Sequence, residues 1–158
     1  MDFRIVDVDP QGEIALSLLH EAAGEVRALY DDVLPADRPW PVNAPVGARD
    51  VYVVAYRDQQ AVACGALREI DRVTAEVKRM FVQRSHRRHG IGHAVLSHLV
   101  AEARRLGYER LRLETGNKQA PAMTLYQAFG FYRIAPFSAH EDDPTSVCFE
   151  LILERSQR

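Results

Sequence analysis

Residues Gln83–Leu96 read QRSHRRHGIGHAVL, and they connect a predicted strand to the most regular helical pattern in the chain. From Ile91 to Ala103 apolar residues recur at helical spacing, and Gly107 stands where a helix-ending glycine is common. Glycines at positions 90 and 92 lie at the start of this helix, directly after a run of arginines and histidines. The stretch therefore predicts a strand, a basic glycine turn and a long helix in immediate succession.

The start of this helix is suited to an anion. The first N–H groups of a helix have no intrahelical acceptor and carry partial positive charge. Glycine lets a ligand approach the backbone closely, and arginine adds planar, multi-donor contacts to phosphate. The turn therefore predicts a phosphate or pyrophosphate site. Two other nucleotide motifs fit poorly, because the dinucleotide fingerprint needs a third glycine where Val95 stands, and no Gly-Lys-Ser/Thr sequence is present.

The histidines in and after the turn raise the question of a metal site. His89 and His93 are four residues apart, but no glutamate of the zinc-protease kind stands between them, and His89 precedes the helix proper. We interpret His86, His89, His93 and His98 as exposed polar positions or ligand-adjacent donors. We therefore expect no metal ion.

Outward from the turn, the other segments alternate between strand and helix patterns. Strands are predicted at FRIVDVD, VYVVAYRD, QAVACGALREI, TAEVKRMFVQ, ERLRLET, FYRI and VCFELIL, and helices at EIALSLLHEAAGEVRALYDD, GIGHAVLSHLVAEARRLG and APAMTLYQAFG. Short turns between the second, third and fourth strands suit antiparallel hairpins, and the proline-rich VLPADRPWPVNAPVGARD is predicted to be a long surface loop. This order predicts an α/β (α+β) fold with a mixed, mostly antiparallel central sheet flanked by helices, in a single domain spanning residues 1–158.

The composition is that of an ordinary globular protein, but the charge is uneven. The formal net charge is −2, whereas Lys and Arg outnumber Asp and Glu by nine to three between Glu76 and Arg112. A nucleic-acid-binding domain would be basic throughout, so we expect one anionic ligand and no nucleic acid. No segment is apolar enough for a membrane helix and the N-terminus lacks a signal-peptide pattern, so we expect a cytoplasmic protein that does not bind membranes. Cys64 and Cys148 are predicted to be buried free thiols.

Two motifs occur together downstream of the fourth predicted strand. One is an Arg-x-x-Gly-x-Gly loop beginning at Arg87, and the other is an Ala-x-x-Leu-Tyr-x-x-x-Gly-Phe segment beginning at Ala122. With these motifs in this order and spacing, the chain resembles the GNAT superfamily of acetyl-CoA-dependent N-acetyltransferases. The predicted strands and helices also follow the fold of that family along nearly the whole chain.

The resemblance implies acetyl-CoA as cosubstrate and assigns roles by position. The strand backbone around Met80–Val82 would pair with the pantetheine arm, and amides of residues 87–92, with nearby basic side chains, would hold the pyrophosphate. Many family members carry Asn three residues before Ala122, whereas this chain has Gln119 there and Asn117 two residues earlier, so either could contact the cofactor. The implied cofactor-binding residues are Met80, Phe81, Val82, Arg87, Arg88, His89, Gly90, Ile91, Gly92, His93, Asn117, Gln119 and Tyr126.

The implied reaction is direct attack of a primary amine on the acetyl thioester. An alkyl amine with a pKa of about 10 is mostly protonated at neutral pH, so a base must first remove a proton. Glu76 is the candidate base, because it stands fourteen residues before Gly90, where the family's histone-type acetyltransferases carry a glutamate. Strand alternation predicts that Glu76 shares a face with Lys78, Met80 and Val82.

Other roles for these side chains stay open at the level of sequence. Glu76 could merely pair with Lys78 or Arg79 across the sheet, and Glu69 and Glu114 are competing carboxylates. Tyr126 is the candidate acid for the departing thiolate, because the resemblance brings it near the thioester sulfur. A tyrosine that only packs in the helix interface is the alternative.

The leading hypothesis is acetyl transfer to a primary amine of a small molecule or an exposed amino group, and the acidic remainder of the chain favours a cationic acceptor. The alternative is a non-catalytic acetyl-CoA-binding module. The acceptor is expected to depend on VLPADRPWPVNAPVGARD and APFSAHEDDPTS, in which Trp40, Asp142 and Asp143 could contribute. Members of the family are often dimers, so the resemblance also suggests a homodimer.

Overall fold

The structure is a computed structural model, and it describes residues 3–153. Within this range the elements are β1 (Phe3–Asp7), α1 (Glu13–Leu29), β2 (Val51–Arg57), β3 (Gln60–Glu69), β4 (Thr74–Val82), α2 (Ile91–Arg105), β5 (Arg110–Gly116), α3 (Ala120–Phe129), β6 (Tyr132–Ile134) and β7 (Ser146–Ile152). Short 3₁₀ turns lie at Arg84–His86 and Ser138–His140. Every predicted strand and helix is present, and the boundaries differ from the predicted ones by a few residues.

The seven described strands form one sheet in the order β1-β2-β3-β4-β5-β7-β6. All neighbouring strands are antiparallel except β4 and β5, which are parallel. A parallel pair requires a crossover connection, and α2 supplies it between β4 and β5. The prediction of a mixed, mostly antiparallel sheet flanked by helices is confirmed.

Helices cover both faces of the sheet. On one face, α2 buries an apolar stripe that includes Val95 and Leu99 in the larger core, together with Tyr126 of α3. On the other face, Ala15 and Leu18 of α1 pack in a second cluster with side chains of β2 and β3. The sheet therefore has an α2 face and an α1 face, and the candidate site depends on which face each side chain of β4 occupies.

A β-bulge in β4 changes the predicted alternation of its side chains. Lys78 pairs with Ala66 and Phe81 with Cys64, so two residues of β4, Arg79 and Met80, stand opposite one residue of β3. Arg79 takes up the extra residue with a φ of 60°.

The bulge moves Met80 and Val82 to the α2 face, where both pack against the larger core, and moves Phe81 to the α1 face. The prediction that Glu76 shares a face with Met80 and Val82 is wrong, because side chains alternate strictly between the two faces of a sheet only in a strand without a bulge. Glu76 and Lys78 lie on the α1 face, because Ala75 and Val77, which alternate with them along β4, belong to the larger core on the α2 face.

Cys64 and Cys148 are free thiols that are almost completely buried, as predicted. Between residues 3 and 153, no helix combines the length and the apolar character needed to cross a membrane.

Candidate active site

β4 and β5 separate after a short parallel ladder, and the separation opens a gap in the sheet. The ladder joins Thr74–Val77 to Arg110–Leu113 and then stops. β4 continues against β3 as far as Val82, and β5 continues against β7 as far as Gly116. Along residues 78–82, no strand of the described chain therefore pairs with β4 on the β5 side. An extended ligand chain can pair with such an edge, and the predicted pantetheine segment Met80–Val82 lies along it.

The turn between β4 and α2 presents a row of free amides. Arg88 and Gly90 both have positive φ, at 66° and 80°, and α2 begins directly afterwards without a side-chain cap. Among the described residues, the N–H groups of residues 88–93 donate to no acceptor. The first N–H of α2 that forms a hydrogen bond is that of Ala94, which donates to the carbonyl oxygen of Gly90. Consecutive free amides in a turn of this kind form an anion-binding concavity. The geometry therefore supports the predicted pyrophosphate site.

The basic side chains around this turn divide into engaged and available ones. Arg87 is engaged, because its Nε donates to the carbonyl oxygen of Val82 at 2.8 Å and its Nη2 donates to Glu25 at 2.7 Å. Arg84 and Arg88 are exposed and form no hydrogen bond or ion pair with other described side chains. Arg88 and Arg84, the second of which lies outside the sequence motif, are thus more available than Arg87 to bind a phosphate.

Two histidines of the turn region have partners of their own. Nδ1 of His89 lies 3.0 Å from Arg57, and Nδ1 of His93 lies 3.5 Å from Ser97.

Tyr126 is positioned by α3 beside the gap. Its side chain is 6% exposed and lies 5.9 Å from the ring of Phe131 and 6.4 Å from that of Phe149, measured between ring centroids. Burial, and secondarily the charge of Glu114, raise the pKa of Tyr126 well above its ordinary value. Its hydroxyl has no hydrogen-bond partner within residues 3–153, so a protonated donor is left free beside the gap.

A polar cluster lies on the α1 face at the same place. Nε2–H of His140 donates to Oε2 of Glu76 at 3.0 Å, and Nδ1 of His140 lies 3.6 Å from Oε2 of Glu114. The side chains of His140 and Glu76 are 19% and 12% exposed. Burial is the main reason that the pKa of Glu114 is raised, while His140 acts in the opposite direction. Ser146 donates to the other oxygen of Glu114 at 3.3 Å.

His140 is the member of this polar cluster that the sequence analysis does not predict. It lies in the predicted loop APFSAHEDDPTS, in which only Asp142 and Asp143 are predicted from the sequence as possible acceptor contacts. Phe137 packs edge-on against its ring at 5.2 Å and is itself buried, which holds the 3₁₀ turn over the sheet. No local pattern marks this contact, because it joins residues 64 positions apart in the chain.

The competing carboxylates have different surroundings. Glu69 lies at the opposite end of β3 from the gap and forms an ion pair with Arg49. Asp143 accepts hydrogen bonds from the amide and hydroxyl of Thr145, so it stabilises its own turn. Glu76 does not pair with Lys78 or Arg79, as the alternative interpretation held, but with His140.

The loop between α1 and β2 is held down by Asn43. This buried side chain donates to the carbonyl oxygen of Pro10 at 2.8 Å and to the hydroxyl of Tyr52 at 3.2 Å, and it accepts from Nε of Arg79 at 2.9 Å. The loop is thereby tied to the bulge of β4. Trp40, which the sequence offers as a possible acceptor contact, stacks on His20 of α1 with ring centroids 4.2 Å apart and stays partly exposed.

Asn117 and Gln119, the two candidates for a cofactor-binding amide, both lie in the connection between β5 and α3. Asn117 is exposed, and Gln119 occupies the N-cap position of α3 without capping it through its side chain. Neither side-chain amide bonds to another described residue, so both are available to a ligand.

In the described part of the chain, no group of three or more His, Cys, Asp or Glu side chains is arranged to hold a metal ion.

Comparison with known proteins gives consistent matches. The model of the acetyltransferase (GNAT) family matches residues 17–131. An uncharacterized N-acetyltransferase of Bacillus subtilis (strain 168), YsnE, is 43% identical over 95 residues, which is 59% of this chain and 63% of the relative. The match thus spans less than two thirds of the length of that relative.

Two solved structures share the fold over nearly the whole chain. A proposed acyl-CoA N-acyltransferase of Klebsiella pneumoniae superposes with a TM-score of 0.79 at 27% identity, covering 96% of this chain and 98% of that one. A GNAT family acetyltransferase of Elizabethkingia anophelis with acetyl-CoA bound has a TM-score of 0.68 at 20% identity, with the same coverage. Since the family model spans well over half of the chain and accounts for both the glycine turn and the Tyr126 helix, the chain belongs to the GNAT family of acetyltransferases.

Proposed function

We propose that the protein is an N-acetyltransferase that moves the acetyl group of acetyl-CoA to a primary amine of a small molecule or an exposed amino group. The observation that carries the proposal is that the free amides of residues 88–93, the unpaired edge of β4 and the cluster around His140 all meet at one gap in the sheet. The bound acetyl-CoA of the Elizabethkingia anophelis protein supports the choice of cosubstrate.

The chain has the groups that such a cosubstrate needs. The amides of residues 88–93, with Arg84 and Arg88, would bind the pyrophosphate, and the edge of β4 at residues 78–82 would bind the pantetheine arm. Val82 offers its carbonyl oxygen to Arg87, but a carbonyl has a second lone pair for a ligand N–H.

Glu76 and His140 would remove the proton that the amine must lose before it attacks. Glu76 has one carboxylate oxygen bonded to His140 and a second oxygen that can accept a proton from the amine, directly or through a water. His140 holds the carboxylate of Glu76 in place through its Nε2–H, and its other ring nitrogen lies 3.6 Å from Glu114. The proton taken from the amine would stay on Glu76. The deprotonated nitrogen then forms the new N–C bond as the C–S bond of the thioester breaks, and the sulfur leaves as a thiolate.

Tyr126 would stabilise the departing thiolate. A phenol is about 1.5 pKa units weaker as an acid than a thiol, so complete proton transfer is uphill by about 2 kcal/mol. Burial raises the pKa of Tyr126 further and makes the transfer still less favourable. A hydrogen bond from the neutral hydroxyl to the developing negative charge is the easier contribution, and the free hydroxyl of Tyr126 supplies it.

Two measurements test the proposed function. Calorimetric titration with acetyl-CoA is expected to show binding, and a thiol-release assay over a broad panel of amines is expected to show turnover. Binding without turnover of any amine would favour the non-catalytic acetyl-CoA module, and an absence of binding would contradict both functions.

A variant pair connects the assay to the site. Glu76→Gln is expected to lower kcat by about 100-fold or more while acetyl-CoA binding is kept, because general-base catalysis contributes about that much. Glu13→Gln, which neutralises an exposed carboxylate at the start of α1, is the matched control and should leave kcat unchanged. Equal turnover in Glu76→Gln and the wild type would remove Glu76 from the mechanism.

Two further features belong to the proposal. We expect the protein to act in the cytoplasm and to form a homodimer. Light scattering coupled to gel filtration measures the mass in solution, and a monomer at micromolar concentration would contradict the dimer.

A further inference from the structure

A small pocket lies on the α1 face of the sheet, beside the proposed site. It has a volume of about 70 Å³ and is bounded by the loop residues 43–46 and by β2, β3 and β4. Its charged lining residues are Asp50, Arg68, Lys78 and Arg79. The pocket is therefore formed by the long proline-rich loop and by the strand that carries Glu76.

Two of the four charges in the pocket are already satisfied by the fold. Asp50 accepts from the amides of Gly47 and Glu69 at 2.7 and 2.8 Å, one on each carboxylate oxygen. Arg79 donates to the side chain of Asn43 at 2.9 Å and to the carbonyl oxygen of Val42 at 3.0 Å. Both side chains serve to hold the loop against β4.

The other two charges, those of Lys78 and Arg68, are both positive. Neither Lys78 nor Arg68 forms a hydrogen bond or an ion pair with another residue in the described range 3–153. Lys78 is half-buried, and Arg68 is exposed at the rim. A lysine on a partly covered strand face that has no counter-ion among the described residues leaves its positive charge available to a bound anion. The pocket therefore has unbalanced positive charge that an anionic group can neutralise.

Lys78 and Arg68 are close to the proposed base. Lys78 is two residues from Glu76 on the same strand face, a separation of about 7 Å along a strand. Arg68 stands directly opposite Glu76 in the register of β3 and β4, on the same face. The carboxylate of Glu76 turns away from both and bonds to His140. A molecule bound on this face could therefore reach the base and both cations.

We propose that the acceptor of the reaction is an amino acid, in the wide sense of an amine that also carries a carboxylate, and that Lys78 and Arg68 bind this carboxylate. The inference rests on the proposed acetyl transfer and names its substrate class. The amine points to Glu76, and the carboxylate neutralises the pocket. A volume of about 70 Å³ accommodates a carboxylate and a few adjoining atoms. The acidic remainder of the chain suggested a cationic acceptor, whereas the charges in this pocket favour one that is zwitterionic.

Matched acceptor pairs test the proposal with acetyl-CoA held at saturation. Each pair consists of an acid and its amide, such as alanine and alaninamide, β-alanine and β-alaninamide, and 4-aminobutanoate and 4-aminobutanamide. The members of a pair have nearly the same shape and differ in the charge that the pocket is proposed to bind. We expect kcat/KM to favour the best acid over its amide by about 10- to 100-fold, the range for losing a charge-assisted hydrogen bond. Equal kcat/KM values within every pair would overturn the proposal.

Variants assign the preference to the pocket. Lys78→Ala should lower kcat/KM for the acid by about 10-fold or more beyond any change in kcat/KM for the amide, so that the preference for the acid is lost. Lys78→Arg should restore most of the preference. Arg104→Ala, which removes an exposed cation at the end of α2, is the matched control and should alter neither acceptor. A Lys78→Ala enzyme that loses acid and amide turnover equally would show that Lys78 does not bind the carboxylate.

A binding measurement separates this proposal from the proposed function. N-acetylated acids and their amides are titrated into the protein with CoA present, and Kd is measured by calorimetry. Tighter binding of the acid that depends on Lys78, in a protein that acetylates no amine, would support the pocket and contradict the enzyme. Acetylation of amines with no acid preference in rate or in Kd would support the enzyme and contradict the pocket.

Discussion

At the scale of the residue, Tyr126 shows how burial selects one chemical role. A tyrosine in water loses its proton at a pH of about 10. Here burial raises the pKa, so the hydroxyl stays protonated and can donate a hydrogen bond throughout the working range of pH. The activity is therefore expected not to decline on the alkaline side through ionisation of Tyr126.

Tyr126→Phe removes the donor and keeps the ring. We expect kcat to fall by about 10- to 1,000-fold, because the thiolate loses its hydrogen bond, with little change in the Kd for acetyl-CoA. Tyr132→Phe is the control, since the exposed hydroxyl of Tyr132 bonds to Glu150 away from the gap. Wild-type kcat in Tyr126→Phe would leave Tyr126 as a packing residue only.

The buried carboxyl group of Glu114 is expected to lower the free energy of unfolding at neutral pH. Its folded pKa is raised by burial, so the folded state holds the proton more tightly than the unfolded state does. The wild-type protein therefore loses stability as the pH rises from the ordinary carboxyl pKa through the raised one. Glu114→Gln should unfold at higher temperature than the wild type at neutral pH, and the difference should shrink below pH about 4. Calorimetric melts across that range test the sign, and a less stable variant at neutral pH would contradict it.

At the scale of the element, the glycine turn and the bulge of β4 shape the site. Gly90 has a φ of 80°, which costs other residues about 1–2 kcal/mol. A Cβ at Gly90 would meet no atom within 4 Å, so a substitution there is strained by the backbone alone. The glycine is thus required by conformation and not by packing.

Gly90→Ala is expected to lower the free energy of unfolding by about 1 kcal/mol and to weaken acetyl-CoA binding, because the amides of the turn would relax. Gly24→Ala is a control with the same chemistry, since a Cβ at Gly24 also has open space but lies in the middle of α1. It should stabilise the protein by about 0.5–1 kcal/mol. Urea unfolding and calorimetry measure both effects, and equal behaviour of the two variants would contradict the role of φ.

Gly65 stands opposite the bulge and lets α2 approach the sheet. A Cβ at this position would lie 2.7 Å from Cγ1 of Val95 and 2.9 Å from Sδ of Met80. Gly65→Ala is expected to cost about 1–3 kcal/mol through overpacking. The cost should be smaller in a Val95→Ala background, and a double-mutant cycle by urea unfolding measures the difference. Additive effects of the two substitutions would show that Val95 is not the residue that limits the space.

At the scale of the whole molecule, the acceptor side of the site is held by contacts between distant segments. Asn43 joins the proline-rich loop to residues before α1, to β2 and to the bulge of β4. The pocket with Lys78 and Arg68 is closed by this loop. If the acceptor binds in this pocket as proposed, its binding should depend on how the loop is anchored, whereas the turn before α2 forms no hydrogen bond with Asn43.

Asn43→Ala is expected to cost about 1–3 kcal/mol in the free energy of unfolding, because it leaves buried donors and acceptors unpaired. We also expect a higher KM for the acceptor and an unchanged Kd for acetyl-CoA. Gln59→Ala, in the exposed turn between β2 and β3, should change neither constant. A parallel loss of acceptor and acetyl-CoA binding in Asn43→Ala would mean that the loop supports the whole fold.

The regular elements could be read from the chain because their patterns involve neighbouring residues. Period-two strands, the apolar stripe from Ile91 and the glycines of the turn are local properties, and the fold class follows from their order. The faces of β4 could not be read in this way, since the bulge at Arg79 and Met80 depends on the partner strand. The prediction failed there for Met80 and Val82 and held for Glu76 and Lys78, which precede the bulge.

The amino-acid sequence by itself determined the fold class, the free amides before α2 and the helix that carries Tyr126, because each depends on residues adjacent in the chain. Only the tertiary structure placed His140 between Glu76 and Glu114 and paired Arg87 with Glu25. It also left Lys78 without a counter-ion within residues 3–153. The physical reason is that a charge or a hydrogen-bonding group acquires its role from whatever packs beside it. The contact between His140 and Glu76 joins residues 64 positions apart, so it is a property of packing and not of pattern.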